Sequence, residues 1–279
     1  RWTKCSSDHA QRTAKTIWLD QVLPVIDKVH SCSPSSFPTV CNGIFAASAL
    51  FHSLSTQFAS LHSAIIRRLS SVLSSGEKLL DLGGFNVIAS IVAVLGPISK
   101  ALVPQQFSDI QRKKKLLFGL CQGLYTKYKA FREILNDKSN NAGSFFNDKI
   151  FHIHHSMIVS LANCIGAILE SVTTMSTVES RLVHEALMVV TEALGSVHTN
   201  AAALAVISIC RSINASCAVG WKPEQVETIA LPVVLLSTLE LLCDTCLDQT
   251  AGDANFPLRE AHAAILSCLD RMSTSSILP

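Results

Sequence analysis

The chain has 279 residues, of which 48% are hydrophobic and only 16% are charged, against a usual charged fraction of about 25%. Its formal net charge of +2 excludes a strong overall attraction to nucleic acid or to an acidic membrane surface. The 12 glycines and 9 prolines are few for this length, which argues against β-sandwiches and barrels and favours long helices with short connections.

Apolar residues recur three and four positions apart along most of the chain, which is the period of an α-helix. This pattern predicts about nine helices, and no stretch shows convincing strand alternation. The predicted helices span residues 6–32, 39–75 (one helix or two), 84–102, 107–136, 145–172, 177–195, 199–216, 223–248 and 257–272. Proline is expected to kink the first of them at Pro24 and to open the eighth at Pro223.

Short loops make consecutive helices antiparallel, and such helices form either a stacked α-solenoid or a compact multi-helix bundle. Among the last five helices, pairs recur on the scale of armadillo and HEAT arrays, which favours the solenoid. We therefore expect a single all-α domain over residues 1–279, with a possible hinge in the polar loop 136–144. Because the chain begins at Arg1 rather than at methionine, we expect it to be a piece of a larger protein.

The segment 80–88, LDLGGFNVI, resembles the junction of an armadillo repeat, in which a glycine pair precedes the third helix that lines the groove. The resemblance extends over residues 80–98, where the apolar helix predicted after Gly84 follows. It implies an armadillo- or HEAT-like superhelix. The usual role of that class, protein binding, is what the resemblance implies for function.

One concentrated basic surface is predicted, on the helix at 107–136. It comprises Arg112, Lys113, Lys114, Lys115, Lys129 and Arg132. Basic runs can bind phosphates, and Tyr125 and Tyr128 lie nearby, so contact with nucleic acid through residues 112–132 is the alternative function. A charge run of this kind is more often a solvated helix face, and Tyr128 belongs to the apolar stripe.

The last predicted helix is a candidate partner surface, because it has a broad apolar face and few charges to cap the end of an array. Its candidate contact residues are Leu258, Ile265, Leu269 and Met272. We expect this end to meet another chain or the rest of a parent protein.

Two clusters of metal-ligand type are interpreted as structural. His152 and His154 are expected on opposite faces of one helix, so that the run at 151–155 cannot converge on a metal. Cys243 and Cys246 have zinc or redox spacing but share a helix face with leucines, so both are predicted to be core residues. We expect neither a metal nor a cofactor.

No sequence motif of a hydrolase, phosphate-binding loop, metalloprotease or dinucleotide-binding turn is present, which favours a non-enzymatic protein. The segments 82–99, 150–169 and 193–210 are long and charge-poor, but they lack flanking aromatic belts and a loop charge bias, so we expect no membrane insertion. Cysteines inside apolar helix faces indicate a reducing compartment, cytoplasmic or nuclear. The expected role is a protein-interaction scaffold within a hetero-complex.

Overall fold

The computed structural model describes residues 7–31, 33–54, 58–103, 110–138, 144–196, 198–217, 229–248 and 256–274. The chain is all-α, and no strand occurs in these ranges. Its α-helices are α1 (Ser7–Thr16), α2 (Leu23–Asp27), α3 (Phe37–Ser53), α4 (Ala59–Ser74), α5 (Gly76–Asp81), α6 (Phe85–Ala101), α7 (Ile110–Lys138), α8 (Ser144–Ser171), α9 (Thr177–Glu192), α10 (Thr199–Cys217), α11 (Leu231–Asp248) and α12 (Phe256–Thr274).

The first predicted helix is divided into four pieces rather than one. A π-helical segment, Ile17–Val22, joins α1 to α2, and a 3₁₀ segment, Lys28–Ser31, follows α2. Pro24 lies in the first turn of α2, immediately after the π-helical segment. Proline lacks an N–H and its ring clashes with the carbonyl four residues earlier, so the wider π turn accommodates it.

The glycine pair that precedes α6 forms the tight break expected from the sequence. Gly83 has a φ of 76°, and its N–H donates to the Leu80 carbonyl at 3.0 Å. The Gly84 N–H donates to the Leu79 carbonyl at 2.6 Å. Together these two bonds close α5 and let α6 begin at Phe85, since the left-handed backbone at Gly83 carries no Cβ.

The region predicted as one or two helices at 39–75 forms two, α3 and α4. The helix predicted to open at Pro223 is described only from Leu231, because residues 218–228 lie outside the described ranges. Ala230, just before α11, has a φ of 53°, a conformation that interrupts any helix continuing into Leu231. Most of the expected hinge at 136–144 also lies outside the described ranges.

Nine of the helices in the described ranges pack as two rows, which we call row A and row B. In row A, successive contacts run from α3 to α6, α8, α10 and α12; in row B they run from α4 to α7, α9 and α11. These helices alternate between the rows along the chain, and α8 contacts both its row A neighbours and α7 and α9 of row B. The apolar core therefore lies between the rows as well as along them.

Close backbone approach holds row A together. A Cβ added at Gly96 of α6 would lie 2.8 Å from Ser160 Oγ on α8, and one added at Gly166 of α8 would lie 2.5 Å from Ser212 Oγ on α10. Ser160 Oγ also donates to the Val92 carbonyl of α6 at 2.7 Å. Glycine is needed at these crossings because any side chain would push the helices apart.

Two helices of the described chain are long and apolar enough to cross a membrane by length and composition, Phe85–Leu102 and Asp148–Ser171. In the fold, 61% and 72% of these segments are buried. The core helices of a soluble protein meet the same criteria, so the two segments do not decide whether the protein enters a membrane.

Candidate functional site

A groove lies between α4 and α7, the first two helices of row B, and encloses a cavity of about 470 Å³. It is lined by Ser63, Ile66, Arg67, Ser70, Arg112, Lys115, Leu116, Gly119 and Leu120. On each helix these residues are spaced three and four positions apart, so each helix contributes one stripe facing the same space. We call this site the α4–α7 groove.

Two arginines of the groove are held by a single serine. Arg112 Nε donates to Ser63 Oγ at 3.0 Å, and Arg67 Nε donates to the backbone carbonyl of Ser63 at 3.3 Å. Ser63 is 1% exposed, and its hydroxyl donates to the Ala59 carbonyl one turn earlier at 2.8 Å. The hydroxyl proton is thereby committed to the helix, which leaves the oxygen lone pairs to accept from Arg112.

The third cation of the groove is Lys115, which is exposed one turn beyond Arg112 on α7. No described residue forms an ion pair with Lys115 or with Arg67. Three positive charges thus lie in a lining that contains no acidic residue among those described. Such a site attracts anions, because like charges close together are relieved by a ligand of opposite charge.

The other cations of the predicted basic surface are committed to contacts within the fold. Lys113 Nζ donates to the Val103 carbonyl at 2.5 Å, and burial lowers the pKa of Lys113 from its ordinary value. Lys114 Nζ lies 2.7 Å from Glu179 Oε2, which ties α7 to α9. These two lysines act as links between segments rather than as an open basic face.

The remaining two cations of the predicted basic surface, Lys129 and Arg132, also make contacts within the fold. Arg132 pairs with Glu192 of α9 at 3.0 Å, and Lys129 Nζ lies 5.3 Å from the centre of the Tyr125 ring. Tyr125 donates its hydroxyl to Glu185 Oε2 at 2.9 Å, and Tyr128 is 5% exposed. Neither tyrosine presents an open ring face for stacking on a base. The residues expected to form one basic and aromatic surface over 112–132 therefore fall into two sets: those that line the groove, and those that contact other groups of the chain.

The histidines of α8 point as predicted, with His154 buried and His152 exposed. The structure adds His198, which lies just before α10 and was not singled out from sequence; its ring centre is 5.7 Å from that of His154. His198 also stacks on Phe151 at 4.5 Å. His154 Nε2 and His198 Nδ1 are buried without a hydrogen-bond partner. In the described part of the chain, no group of three or more histidine, cysteine or acidic residues could hold a metal.

The environment of these histidines keeps them neutral. Burial, together with the nearby charge of His198, lowers the pKa of His154 to about 4, although a hydrogen bond to the Phe131 backbone partly opposes the shift. Burial likewise lowers the pKa of His198 and of His155. The cluster is an aromatic part of the core that titrates below neutral pH.

The core assignment of the CxxC cysteines is wrong for Cys243, which is exposed on α11. Its helix packs on α9 and α12, but this packing leaves Cys243 exposed. The side chain of Cys246 lies outside the described part. Cys121 and Cys164 are buried, and burial raises the pKa of the Cys164 thiol to about 12.

The candidate partner residues of the last helix also need correction. Leu258, Ile265 and Met272 are at most 1% exposed, because this face of α12 packs on α10 and α11, and Leu269 is half-buried. The apolar stripe therefore belongs to the core of this chain. On the described part of α12 the exposed large apolar side chains are Phe256 and Leu266.

Sequence reasoning missed the α4 half of the groove, Ser63 and Arg67. The available signal was the helical spacing of Ser63, Arg67 and Ser70, four and three residues apart, at the first charges of the predicted helix at 39–75. The sequence could not show that Arg112 contacts Ser63, because the two residues are 49 positions apart in the chain.

Comparison with known proteins adds no family. No family model matches the chain, and no curated protein matches it. A solved chain described as "Computational Design of Self-Assembling Cyclic Protein Homooligomers" is similar over 96% of this chain and 91% of that chain, with 11% identity and a TM-score of 0.31. At that level the likeness carries no argument about this protein.

Proposed function

We propose that this chain is a non-enzymatic protein-interaction scaffold, a subunit of a hetero-complex that binds a partner in the α4–α7 groove. The observation that carries the proposal is the composition of that groove. Its cations can hold anionic groups, while Ile66, Leu116 and Leu120 offer an apolar surface. Its described lining residues include no carboxylate, imidazole or thiol to act as a general base, so the groove suits binding better than catalysis.

An armadillo- or HEAT-like α-solenoid is the architecture we propose for this scaffold. The alternation of consecutive helices between row A and row B is what stacked helix pairs produce, and it favours a solenoid over a compact bundle. Grooves between neighbouring helices are the ordinary binding surfaces of such arrays. We place the scaffold in the cytoplasm or nucleus, since the six described cysteines are all free.

Nucleic-acid binding is the second candidate, and the cluster of Arg67, Arg112 and Lys115 is the observation in its favour. A nucleic-acid backbone needs cations spaced along a track. Here Lys114 and Arg132 are instead paired with glutamates of α9. The groove alone offers three cations beside aliphatic carbon, which fits a protein segment better than a phosphate chain.

Site-specific photo-crosslinking tests the proposal. The full chain would carry p-benzoylphenylalanine at Gly119, where a Cβ meets nothing within 4 Å, and would be irradiated in lysate of the cells that produce it. The matched control carries the same group at Gly195, which is equally open but lies beyond α9. We expect a protease-sensitive adduct from position 119 and not from 195.

The partner identified by mass spectrometry must then, once purified, bind the wild-type chain more tightly than the Lys115→Glu variant. An adduct sensitive to ribonuclease rather than protease would favour the nucleic-acid alternative. Equal adducts from both positions, or none from position 119, would contradict the scaffold proposal.

A further inference from the structure

We propose that the occupant of the α4–α7 groove is an acidic segment of a partner protein, whose carboxylates bind Arg67, Arg112 and Lys115 while its aliphatic side chains contact the apolar floor. The inference rests on the proposed function, because it names the chemistry of the partner that the scaffold binds. It goes further by predicting the charge and the length of the partner segment and the side chains that the groove selects.

Charge pairing on α7 is the first argument. Three cations of this helix pair with glutamates of other helices: Lys114 with Glu179, Lys127 with Glu77, and Arg132 with Glu192. Lys113 instead donates to a backbone carbonyl, and Lys129 lies over the Tyr125 ring. Lys115 and, across the groove, Arg67 form no ion pair with a described residue. A carboxylate supplied from outside would give these two cations the kind of partner that Lys114, Lys127 and Arg132 have within the fold.

Preorganisation is the second argument. Arg67 and Arg112 are both anchored through Nε on Ser63, so their guanidinium groups are positioned before a ligand arrives. Arginine binds carboxylates in a planar, bidentate way, and less side-chain entropy is lost when its geometry is already set. Two arginines on one buried serine therefore make a receptor for paired carboxylates.

The third argument is the apolar surface of the groove, because it favours the binding of a peptide over that of a free anion. Ile66, Leu116 and Leu120 line the same groove as the cations, and Gly119 leaves open space where another residue would project a side chain. Inorganic phosphate or a sugar–phosphate backbone would gain nothing from this surface. A leucine or isoleucine beside a glutamate would bury apolar area there and pair its neighbour's charge at the rim.

The dimensions set the length of the segment. The α4 stripe runs from Ser63 to Ser70, which is about 10 Å of helix at 1.5 Å per residue. Two turns of a partner helix or a short extended stretch would cover it. We therefore expect the groove to recognise only a few residues of the partner segment: one or two aliphatic side chains flanked by carboxylates.

A display selection from random peptides of about eleven residues, three helical turns, tests the inference. The full-length wild-type chain is the bait, and the Arg67→Glu/Lys115→Glu double variant removes groove binders by counter-selection. Both residues are exposed, so the variant should keep the wild-type circular dichroism spectrum and Tm. We expect the selected peptides to be rich in aspartate and glutamate next to leucine or isoleucine.

Fluorescence anisotropy with the best selected peptide, and with its Glu→Gln counterpart, completes the test. We expect at least about tenfold weaker binding when either the peptide carboxylates or Lys115 is changed, and no change in the matched Arg259→Glu variant, whose cation is exposed on α12. Binding should also weaken with added salt.

Different failures identify different errors. Selected peptides that are neutral or basic, yet lost in the double variant, would overturn the acidic occupant while the scaffold proposal survives. No peptide specific to the wild-type groove, together with no crosslinked polypeptide from position 119, would overturn both. Equal competition by a single-stranded oligonucleotide at the same sites would assign the groove to nucleic acid instead.

Discussion

Single buried polar residues carry much of the organisation of this protein. Ser63 shows how: its hydroxyl satisfies one bond within α4 and accepts another from α7, and its carbonyl accepts from Arg67. Removing such a group would leave a guanidinium without its anchor, which costs more than a typical exposed hydrogen bond. The groove therefore depends on a lining residue that is almost fully buried.

His154 is the second such residue, and it makes stability depend on pH. It faces His198, just before α10, and Tyr128 and Arg132 of α7, with His155 beside it on α8. None of these groups is acidic, so none favours its protonation. The folded chain holds it neutral down to a pH of about 4, whereas the unfolded chain takes up the proton near 6.5. Between those values the unfolded state binds more protons, so the free energy of unfolding falls as pH falls.

We expect the His154→Phe variant to lose part of this acid sensitivity. Complete titration of His154 corresponds to about 3 kcal/mol lost between pH 6.5 and pH 4, at about 1.4 kcal/mol per pKa unit. Urea unfolding at several pH values would measure it. His62, His155 and His198, whose pKa values are lowered in the same direction, contribute to the residual slope.

His152→Phe, on the exposed side of α8, is the comparison variant; its pH profile should change less than that of His154→Phe, because it leaves the buried imidazole of His154 in place. A variant at His154 with an unchanged profile would show that this imidazole is not held neutral by the fold.

At the scale of the helix, close crossings rather than large side chains set how row A packs. α8 offers Ser160 to α6 and Gly166 to α10, and in both contacts a glycine faces a serine across the helix pair. Small residues allow backbones to approach and add weak hydrogen bonds to dispersion. The spacing between neighbouring helices of row A then follows from a few residues.

Gly96→Ala should destabilise the fold by about 1–3 kcal/mol, because the added Cβ would lie 2.8 Å from Ser160 Oγ and 3.1 Å from Ser160 Cα, a backbone atom that cannot rotate away. Gly123→Ala on α7 is the control, since nothing lies within 4 Å of its added Cβ. At that position the higher helix propensity of alanine relative to glycine should raise the free energy of unfolding by up to about 1 kcal/mol. Opposite signs in denaturant unfolding would support the close crossing, and equal effects would refute it.

For the whole molecule, the orientation of α12 decides which side chains are exposed at the end of row A. Its apolar stripe faces α10 and α11, and the side turned outward carries Phe256 and Leu266. An interaction at this end would therefore use a smaller surface than the stripe predicted from sequence. Whether the end meets a partner stays a prediction.

A pair of aspartate substitutions separates core from surface at this end. Ile265→Asp places a carboxylate at a fully buried position and should cost at least about 3 kcal/mol, seen as a lowered Tm. Leu266→Asp, at a position that is 46% exposed, should change stability by no more than about 0.5 kcal/mol. If Leu266→Asp also abolishes association measured by light scattering, the end is an interface; if Ile265→Asp is tolerated, α12 does not pack as described.

The helices themselves could be predicted from sequence, because helix formation depends on neighbours three and four residues away. The bounds expected at 84–102 and 199–216 agree closely with α6 and α10, and the break at Gly83 follows from local backbone freedom. The burial of His154 and the exposure of His152 needed only the helical period as well.

Which helices meet could not be predicted in the same way, because contacts between distant residues leave no periodic signal in one chain. Ser63 and Arg112 form the groove only when α4 and α7 become neighbours in row B, and His198 reaches His154 only through the contact of α10 with α8. The same limit explains Cys243 and the stripe of α12. A sequence marks a face as apolar, but only the neighbours supplied by tertiary packing decide whether that face is core, groove or open surface.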